Sequence, residues 1–197
     1  GGMGNKHFGC YQNLDNARIT ALADAQEERL EPGESSLEIN VGEGSIVVDP
    51  EKHDRYTDAE KCFREADVDM VDICLPTYLH ADLCCKALEQ DLNVLCEKPM
   101  ALTSEDCWRM VEAARDSDGM LMVAQCMRFW PDYRYLKETC ESGRLGSLRN
   151  LRLWRGGAPP DWAWDNWLGD HRRVKDLADR VRLVDVRALR ALHRSMG

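Results

Sequence analysis

Apolar and polar residues alternate along the chain in blocks that predict short strands separated by helices. Apolar runs typical of strands lie at 17–23, 68–75, 92–96 and 120–124. Segments with helical spacing lie at 5–14, 58–66, 78–90 and 103–116. Strands that alternate with helices in this way predict an α/β fold with a parallel sheet and helices packed on its faces.

Two local features bear on the helices. Between Glu31 and Asp49 the runs EPGESS and VGEG break the helical spacing, so we expect a short helix or irregular chain there. Thr77 is expected to cap the helix that follows it, and Thr103 or Ser104 the next one, because a hydroxyl can accept from the unpaired amides of a first turn.

Unusual polar residues follow the predicted strands. They are Asp24, Pro76 with Thr77, Glu97 with Lys98, and residues 125–129. In parallel sheets, ligands bind beyond the carboxyl ends of the strands. The sequence therefore predicts a ligand site at this edge of the sheet.

The chain opens with a glycine-rich run that leads into a predicted helix: Gly1, Gly2, Met3 and Gly4. Such a turn presents bare amides and the positive end of the helix dipole to a phosphate, although a flexible terminus is an equally simple explanation. Asp24 favours the first interpretation. It lies 20 residues after Gly4 at a strand end, where a dinucleotide site needs a carboxylate for the ribose hydroxyls.

Asp24 also bears on cofactor choice. Its carboxylate would repel a 2′-phosphate, and the two residues that follow it, Ala25 and Gln26, are not arginines. We therefore expect NAD rather than NADP.

Lys98 and His80 are further candidates for the site. Pro99 forces the residue before it into an extended conformation, so Lys98 should project from the strand end, where it could relay a proton near a nicotinamide ring. A solvated surface lysine is the alternative. For His80, which follows Thr77 by three residues, the alternative is a surface histidine.

Composition narrows the class of protein. The 197 residues carry 35 acidic and 26 basic side chains, a net charge of −9, which argues against a nucleic-acid partner. Nine cysteines without a CxxC pair, and histidines without ligand spacing, predict neither disulfides nor a metal site, and favour a reducing cytoplasm. A membrane span would need about 18 consecutive apolar residues, which the sequence lacks.

These elements occur together in a recognisable order. The runs are GGMG, ALAD, VDICLPTYLH, NVLCEKPMALT, MRFWPDY and GRLGSLRNLR. In this order they resemble the glucose-fructose oxidoreductase and inositol dehydrogenase (Gfo/Idh/MocA) family of NAD(P)-dependent enzymes over about residues 1–170. EKP after a strand, preceded by LPTYLH, is the most specific part of the resemblance.

The resemblance implies a role for each candidate residue. It assigns the cofactor's phosphates to Gly1, Gly2, Met3 and Gly4, the adenosine ribose to Asp24, and the nicotinamide half to Leu75, Pro76, Thr77, His80 and Glu97. Lys98 resembles the family lysine that contacts both cofactor and substrate. The resemblance also implies a cofactor-binding role for Arg128, which lies where the chain enters the substrate domain.

The implied fold is a Rossmann-type doubly wound sheet with its first strand missing, joined to a remnant of an α/β substrate domain. The implied domains are a nucleotide-binding domain at 1–125, the start of the substrate domain at 126–170, and an atypical basic tail at 171–197. That tail has eight basic and three acidic residues, and it resembles either an amphipathic partner- or membrane-binding helix or an out-of-frame reading.

The resemblance implies hydride transfer between NAD and a hydroxyl carbon of a sugar, a polyol or a derivative. We expect the chain itself to be inactive, because the family strand before Gly1 and the family acid/base pair after residue 170 are absent. A homo-oligomer is expected for the intact protein, with no membrane partner. The alternatives are a non-catalytic module that binds a dinucleotide or a partner, and an unstable fragment.

Overall fold

Strands and helices alternate through the part of the chain that the computed structural model describes, residues 2–39 and 42–154. The helices are α1 (Gly2–Tyr11), α2 (Ala59–Glu65), α3 (His80–Leu88), α4 (Ser104–Asp116) and α5 (Pro131–Glu141). The strands are β1 (Ala21–Ala23), β2 (Gly33–Ile39), β3 (Gly42–Val48), β4 (Asp54–Tyr56), β5 (Met70–Ile73), β6 (Asn93–Cys96) and β7 (Leu121–Val123). Gly1 and the predicted tail at 171–197 lie outside the described residues.

The parallel arrangement predicted from the sequence is confirmed. β5, β6 and β7 form one parallel sheet in that order, with Val71 opposite Val94 and Leu95 opposite Met122. β1 and β4 form a second parallel pair. Within the described residues, β1 and β5 are not hydrogen-bonded to each other, so the parallel strands fall into two groups.

Helices cover both faces of β5. Ile73 belongs to the main apolar core with residues of α3, β6 and α4, whereas its neighbours Asp72 and Cys74 contact His7 of α1. Successive side chains of a strand point to opposite faces, so α1 and α3 lie on opposite sides of this strand. That is the doubly wound arrangement.

The core contains cysteines in place of aliphatic side chains. Cys84 and Cys96 are fully buried and pack with Leu88, Val94 and Met110. Cys96 thus packs as a small buried hydrophobe. Cys74, in contrast, is half-buried and hydrogen-bonded in a polar cluster.

Helix capping confirms one of the two expected caps and contradicts the other. Asp58 caps α2, and Thr103 caps α4 by accepting from the amide of Asp106 at 3.1 Å. The expected Thr77 cap is wrong: a 3₁₀ turn, Thr77–Leu79, precedes α3, and the described residues provide no side-chain cap at its start.

The segment predicted to be a short helix or irregular chain is instead an antiparallel hairpin. β2 and β3 pair from Gly33 opposite Val48 to Ile39 opposite Gly42, and α1 packs against both strands. β4 was not predicted, because its sequence Asp-Arg-Tyr contains no apolar run. α1 begins at Gly2 and ends at Tyr11, three residues earlier at each end than predicted.

The described residues form two compact units, 2–124 and 125–154. The first contains the parallel strands and the hairpin. In the second, a 3₁₀ turn at Cys126–Phe129 leads into α5, whose first residue is Pro131. Proline suits this position because its missing amide would have no partner in the helix.

Gly119, just before β7, provides a test of the packing. A Cβ at this position would lie 2.3 Å from the carbonyl oxygen of Leu92. Because backbone must then move, we expect Gly119→Ala to lower the free energy of unfolding by about 1–3 kcal/mol in urea denaturation. The control is Gly9→Ala in α1, where no described atom lies within 4 Å of the new Cβ. This variant should gain about 0.5–1 kcal/mol, and equal effects at both positions would contradict the packing.

Candidate functional site

A cluster of polar side chains joins α1 to the ends of β5 and β6. Its members, named here the His7 cluster, are His7, Tyr11, Asp72, Cys74 and Glu97. His7 Nδ1 lies 2.8 Å from Asp72 Oδ2 and 3.2 Å from Cys74 Sγ, and its Nε2 lies 3.3 Å from Glu97 Oε1. The Tyr11 hydroxyl donates to Asp72 Oδ2 at 2.9 Å. His7 therefore bridges two carboxylates that belong to different strand ends.

Those contacts fix the protonation of the cluster. Hydrogen bonds to Asp72, Cys74 and Glu97 raise the pKa of His7 to about 12, although partial burial opposes the shift. Burial tends to raise the pKa of Glu97, but His7 and Lys98 outweigh it and hold that pKa below its usual value. Burial raises the pKa of the Cys74 thiol to about 11. At neutral pH the cluster therefore contains the His7 imidazolium, the Glu97 carboxylate and the neutral Cys74 thiol.

Glu97 and Lys98 differ sharply in exposure. Glu97 is 7% exposed, and its Oε2 accepts from the backbone amide of Lys98 at 2.8 Å. The Lys98 side chain is 51% exposed, and its Nζ lies 4.0 Å from Glu97 Oε2. The peptide between Lys98 and Pro99 is cis. A buried carboxylate thus fixes the backbone of a lysine whose amine remains accessible.

His80 links the ends of two neighbouring strands. It is 1% exposed, its Nδ1 lies 2.9 Å from the carbonyl oxygen of Pro99, and its Nε2 lies 2.8 Å from that of Leu75. Carbonyl oxygens only accept, so both contacts need an N–H and the ring carries a proton on each nitrogen. Burial lowers its pKa, but Cys96 and the two carbonyls outweigh burial and raise it. His80 is therefore neither a surface histidine nor a side chain with a ring nitrogen left for a ligand.

Asp24 follows β1, and its carboxylate forms an ion pair with Arg29. Its carboxylate accepts from the amide of Gln26 at 2.9 Å and lies 3.3 Å from Arg29 Nη1. Arg29 was not expected at this carboxylate, because only the two residues directly after Asp24 were considered. A 3₁₀ turn at Glu27–Arg29 brings it back to Asp24.

The other predicted residues occupy three places. Gly2, Met3 and Gly4 form the first turn of α1. Pro76 and Thr77 are buried after β5, and Leu75 is half-buried beside them. Arg128 is exposed in the 3₁₀ turn of the second unit, so its predicted cofactor role stays a prediction.

The residues of the first unit fit a dinucleotide. The first turn of α1 offers unpaired amides beside glycines, Asp24 offers a carboxylate oxygen at a strand end, and Glu97 positions Lys98 at another. Sequence reasoning missed the His7 cluster, because His7 and Asp72 are 65 residues apart. The signal that could have found it is the acidic Asp72 inside the apolar run VDMVDICL.

Membrane insertion gains no support from the described helices, because not one of them is both long and apolar enough to span a bilayer. All nine cysteines lie in the described part of the chain and are free thiols.

The raised pKa of His7 predicts how stability depends on pH. A histidine whose folded pKa of about 12 exceeds the free value of 6.5 stabilises the fold fully below pH 6.5, and loses this stabilisation as the pH rises toward 12. Relative to His7→Gln, the unfolding free energy of the wild type should therefore fall by up to about 1.4 kcal/mol per pH unit above about pH 7. Urea denaturation in metal-free buffer measures this difference. A pH-independent difference would show that His7 is not charged in the fold.

Comparison with known proteins agrees with this geometry. The model of the GFO_IDH_MocA family, described as an oxidoreductase family with an NAD-binding Rossmann fold, matches residues 1–125. The chain is 29% identical over 161 residues to a myo-inositol 2-dehydrogenase of Thermotoga maritima, covering 81% of this chain and 44% of that protein. It is 32% identical over 160 residues to a 2,7-anhydro-N-acetylneuraminate hydratase of Mediterraneibacter gnavus, covering 79% of this chain and 38% of that protein.

A solved structure shows the same fold. The scyllo-inositol dehydrogenase of Lactobacillus casei, with bound NAD(H) and scyllo-inositol, aligns with a TM-score of 0.62 at 21% identity, over 74% of this chain and 40% of that one. The chain thus spans less than half the length of these relatives. Because the family model covers well over half of the sequence, the chain belongs to the Gfo/Idh/MocA oxidoreductase family, and its matched part is an NAD-binding Rossmann fold.

Proposed function

We propose that this chain supplies the NAD-binding half of a dehydrogenase that acts on a hydroxyl carbon of a sugar, a polyol or a derivative. The observation that carries the proposal is the Glu97–Lys98 pair, in which a buried carboxylate fixes the backbone beside an accessible amine. The named activities of relatives support the substrate class, since they include an inositol dehydrogenase. Because the chain spans 44% of that protein, the whole reaction is a proposal.

In the proposed site, α1 and β1 bind the adenosine half of the cofactor. The first-turn amides of α1, at Gly2 to Gly4, would receive the phosphates, because a helix N-terminus favours negative charge. Gly1 is proposed as a further contact to the phosphates. The Asp24 carboxylate would accept from the ribose hydroxyls.

Lys98 is the proposed catalytic residue. NAD, when bound, supplies an acceptor for the hydride that leaves the substrate carbon. The hydroxyl must also lose its proton, and the accessible Lys98 amine would hydrogen-bond that oxygen and relay the proton. Glu97 fixes the lysine backbone by accepting from the Lys98 amide, and His7 holds Glu97 in its charged form.

The end of β5 forms the proposed wall beside the nicotinamide. Its lining residues would be Leu75, Pro76 and Thr77. His80 would support this wall by fixing the carbonyls of Leu75 and Pro99. His80 is therefore proposed as a positioning residue. This role follows from its burial and from its two occupied nitrogens.

A non-catalytic module that binds a dinucleotide is the second candidate. The family match supports it, because the model that matches residues 1–125 is described by its NAD-binding Rossmann fold. One relative is named as a hydratase, so net oxidation is not a property of every relative. For location, nine free thiols support the cytoplasm.

Asp24 gives a test of cofactor choice. Asp24→Asn removes the charged acceptor for the ribose, so NAD affinity should fall by about 10- to 100-fold, which is the value of one charge-assisted hydrogen bond. NADP affinity should fall less, because the same change removes repulsion of the 2′-phosphate. Calorimetric titration with both cofactors measures this. Asp116→Asn, an exposed carboxylate at the end of α4, is the control and should leave both affinities unchanged.

A second titration separates the two functions. Heat with NAD, followed by NADH absorbance on adding inositol or another polyol, supports the dehydrogenase. Lys98→Met should then lower the turnover by at least about 100-fold while NAD still binds. Heat without NADH supports the binding module. An absence of heat at millimolar NAD, about −4 kcal/mol or weaker, contradicts a nucleotide site in this chain.

A further inference from the structure

Three different metal-ligand atoms converge in the His7 cluster, outside the residues proposed for the cofactor phosphates and ribose. They are an imidazole nitrogen of His7, a carboxylate oxygen of Asp72 and the sulfur of Cys74, all within 4.8 Å of one another. We propose that these three side chains bind a divalent zinc ion. The proposal does not depend on the dehydrogenase reaction.

The distances between the ligand atoms match a zinc site after a small adjustment. Nδ1 of His7 lies 2.8 Å from Asp72 Oδ2 and 3.2 Å from Cys74 Sγ, which itself lies 3.4 Å from Asp72 Oδ1. Tetrahedral zinc, with bonds of about 2.0–2.3 Å, separates its ligands by about 3.3–3.6 Å. The contact between His7 and Asp72 must therefore open by about half an ångström, and the single Asp72 oxygen that would bind the metal lies within 4.8 Å of both other ligand atoms.

A second layer of hydrogen bonds already supports the ligands. Zinc-bound histidines usually donate their other ring N–H to a carboxylate, and zinc-bound carboxylates are usually hydrogen-bonded in turn. Here Nε2 of His7 faces Glu97 Oε1 at 3.3 Å, which leaves Nδ1 for the metal. The Tyr11 hydroxyl donates to Asp72 at 2.9 Å. Both supporting contacts are thus in place around the three ligand atoms.

The ligand types select the metal. One nitrogen, one oxygen and one sulfur suit zinc, whereas magnesium and calcium take oxygen ligands. Three protein ligands leave a fourth position for water or another ligand, which is typical of sites that are not purely structural. All three side chains are half-buried, so an ion can reach them from solvent.

Cobalt provides a direct probe, because Co²⁺ replaces zinc and reports thiolate ligation through a near-ultraviolet charge-transfer band. Titrating the chelator-treated chain with Co²⁺ should give this band, saturating at one equivalent, and Zn²⁺ should abolish it. Cys74→Ser should lose the band. Cys10→Ser, which removes an exposed thiol from α1, is the matched control and should keep it.

The supporting hydrogen bonds give an independent test. Tyr11→Phe keeps all three ligands but removes the donor to Asp72, so zinc affinity should fall by about 10- to 100-fold. Competition with a chromophoric chelator measures this affinity. An unchanged affinity would overturn the supporting role of Tyr11, and with it the proposed geometry.

A third measurement uses the wild-type chain and so does not depend on the folding of a variant. Zn²⁺ should protect Cys74 from alkylation, read by peptide mass spectrometry, while Cys10 stays reactive. The absence of a charge-transfer band, a band that survives in Cys74→Ser, or equal alkylation of Cys74 with and without zinc would each overturn the proposal and leave the cluster as a metal-free ion pair.

Discussion

The ion pairs of His7 are the constraint on which the rest of the site depends. One partly buried imidazolium lies between Asp72 of β5 and Glu97 at the end of β6. Without this cation, both carboxylates would lose their main positive partner in a poorly solvated place, and removing one member of a buried pair typically costs about 3–5 kcal/mol. The position of α1, which carries the proposed phosphate-binding turn, is therefore coupled to the strand that carries Lys98.

A second histidine acts on the other side of the same strand ends by different means. Among the residues that the structure describes, His80 pairs with no carboxylate. It holds the carbonyls of Leu75 and Pro99 together, and these belong to the chain leaving β5 and β6. His7 thus fixes a side chain of the site through charge, and His80 fixes its backbone through two donated hydrogen bonds. Together they explain how a segment with an exposed lysine can keep a defined shape.

The sequence predicted the elements whose signal is local. Apolar runs located β5 and β6, and the cap of α4 was narrowed to Thr103 or Ser104 because a capping hydroxyl acts within its own turn. β4 was missed because its three residues contain no apolar run, and its pairing with β1 depends on chain more than 30 residues away. The bond between His7 and Asp72 spans 65 residues, so no spacing rule could have found it. Local signals therefore identified residues that follow a strand end, such as Glu97 and Lys98, but not contacts between residues far apart in the sequence.

The His7 cluster would carry the same net charge with zinc bound as in its protonated, metal-free form. Without metal, His7 carries one positive charge and the Cys74 thiol is neutral. Zinc binding would release the proton from Nδ1 and the proton from the thiol, and add a doubly charged ion. The net charge beside Glu97 would be unchanged, and Nε2 would still donate to that carboxylate. An ion could therefore occupy the cluster without disturbing the charge balance around Glu97, which fixes Lys98. Glu97 faces Nε2 of His7, whereas the ion would bind Nδ1.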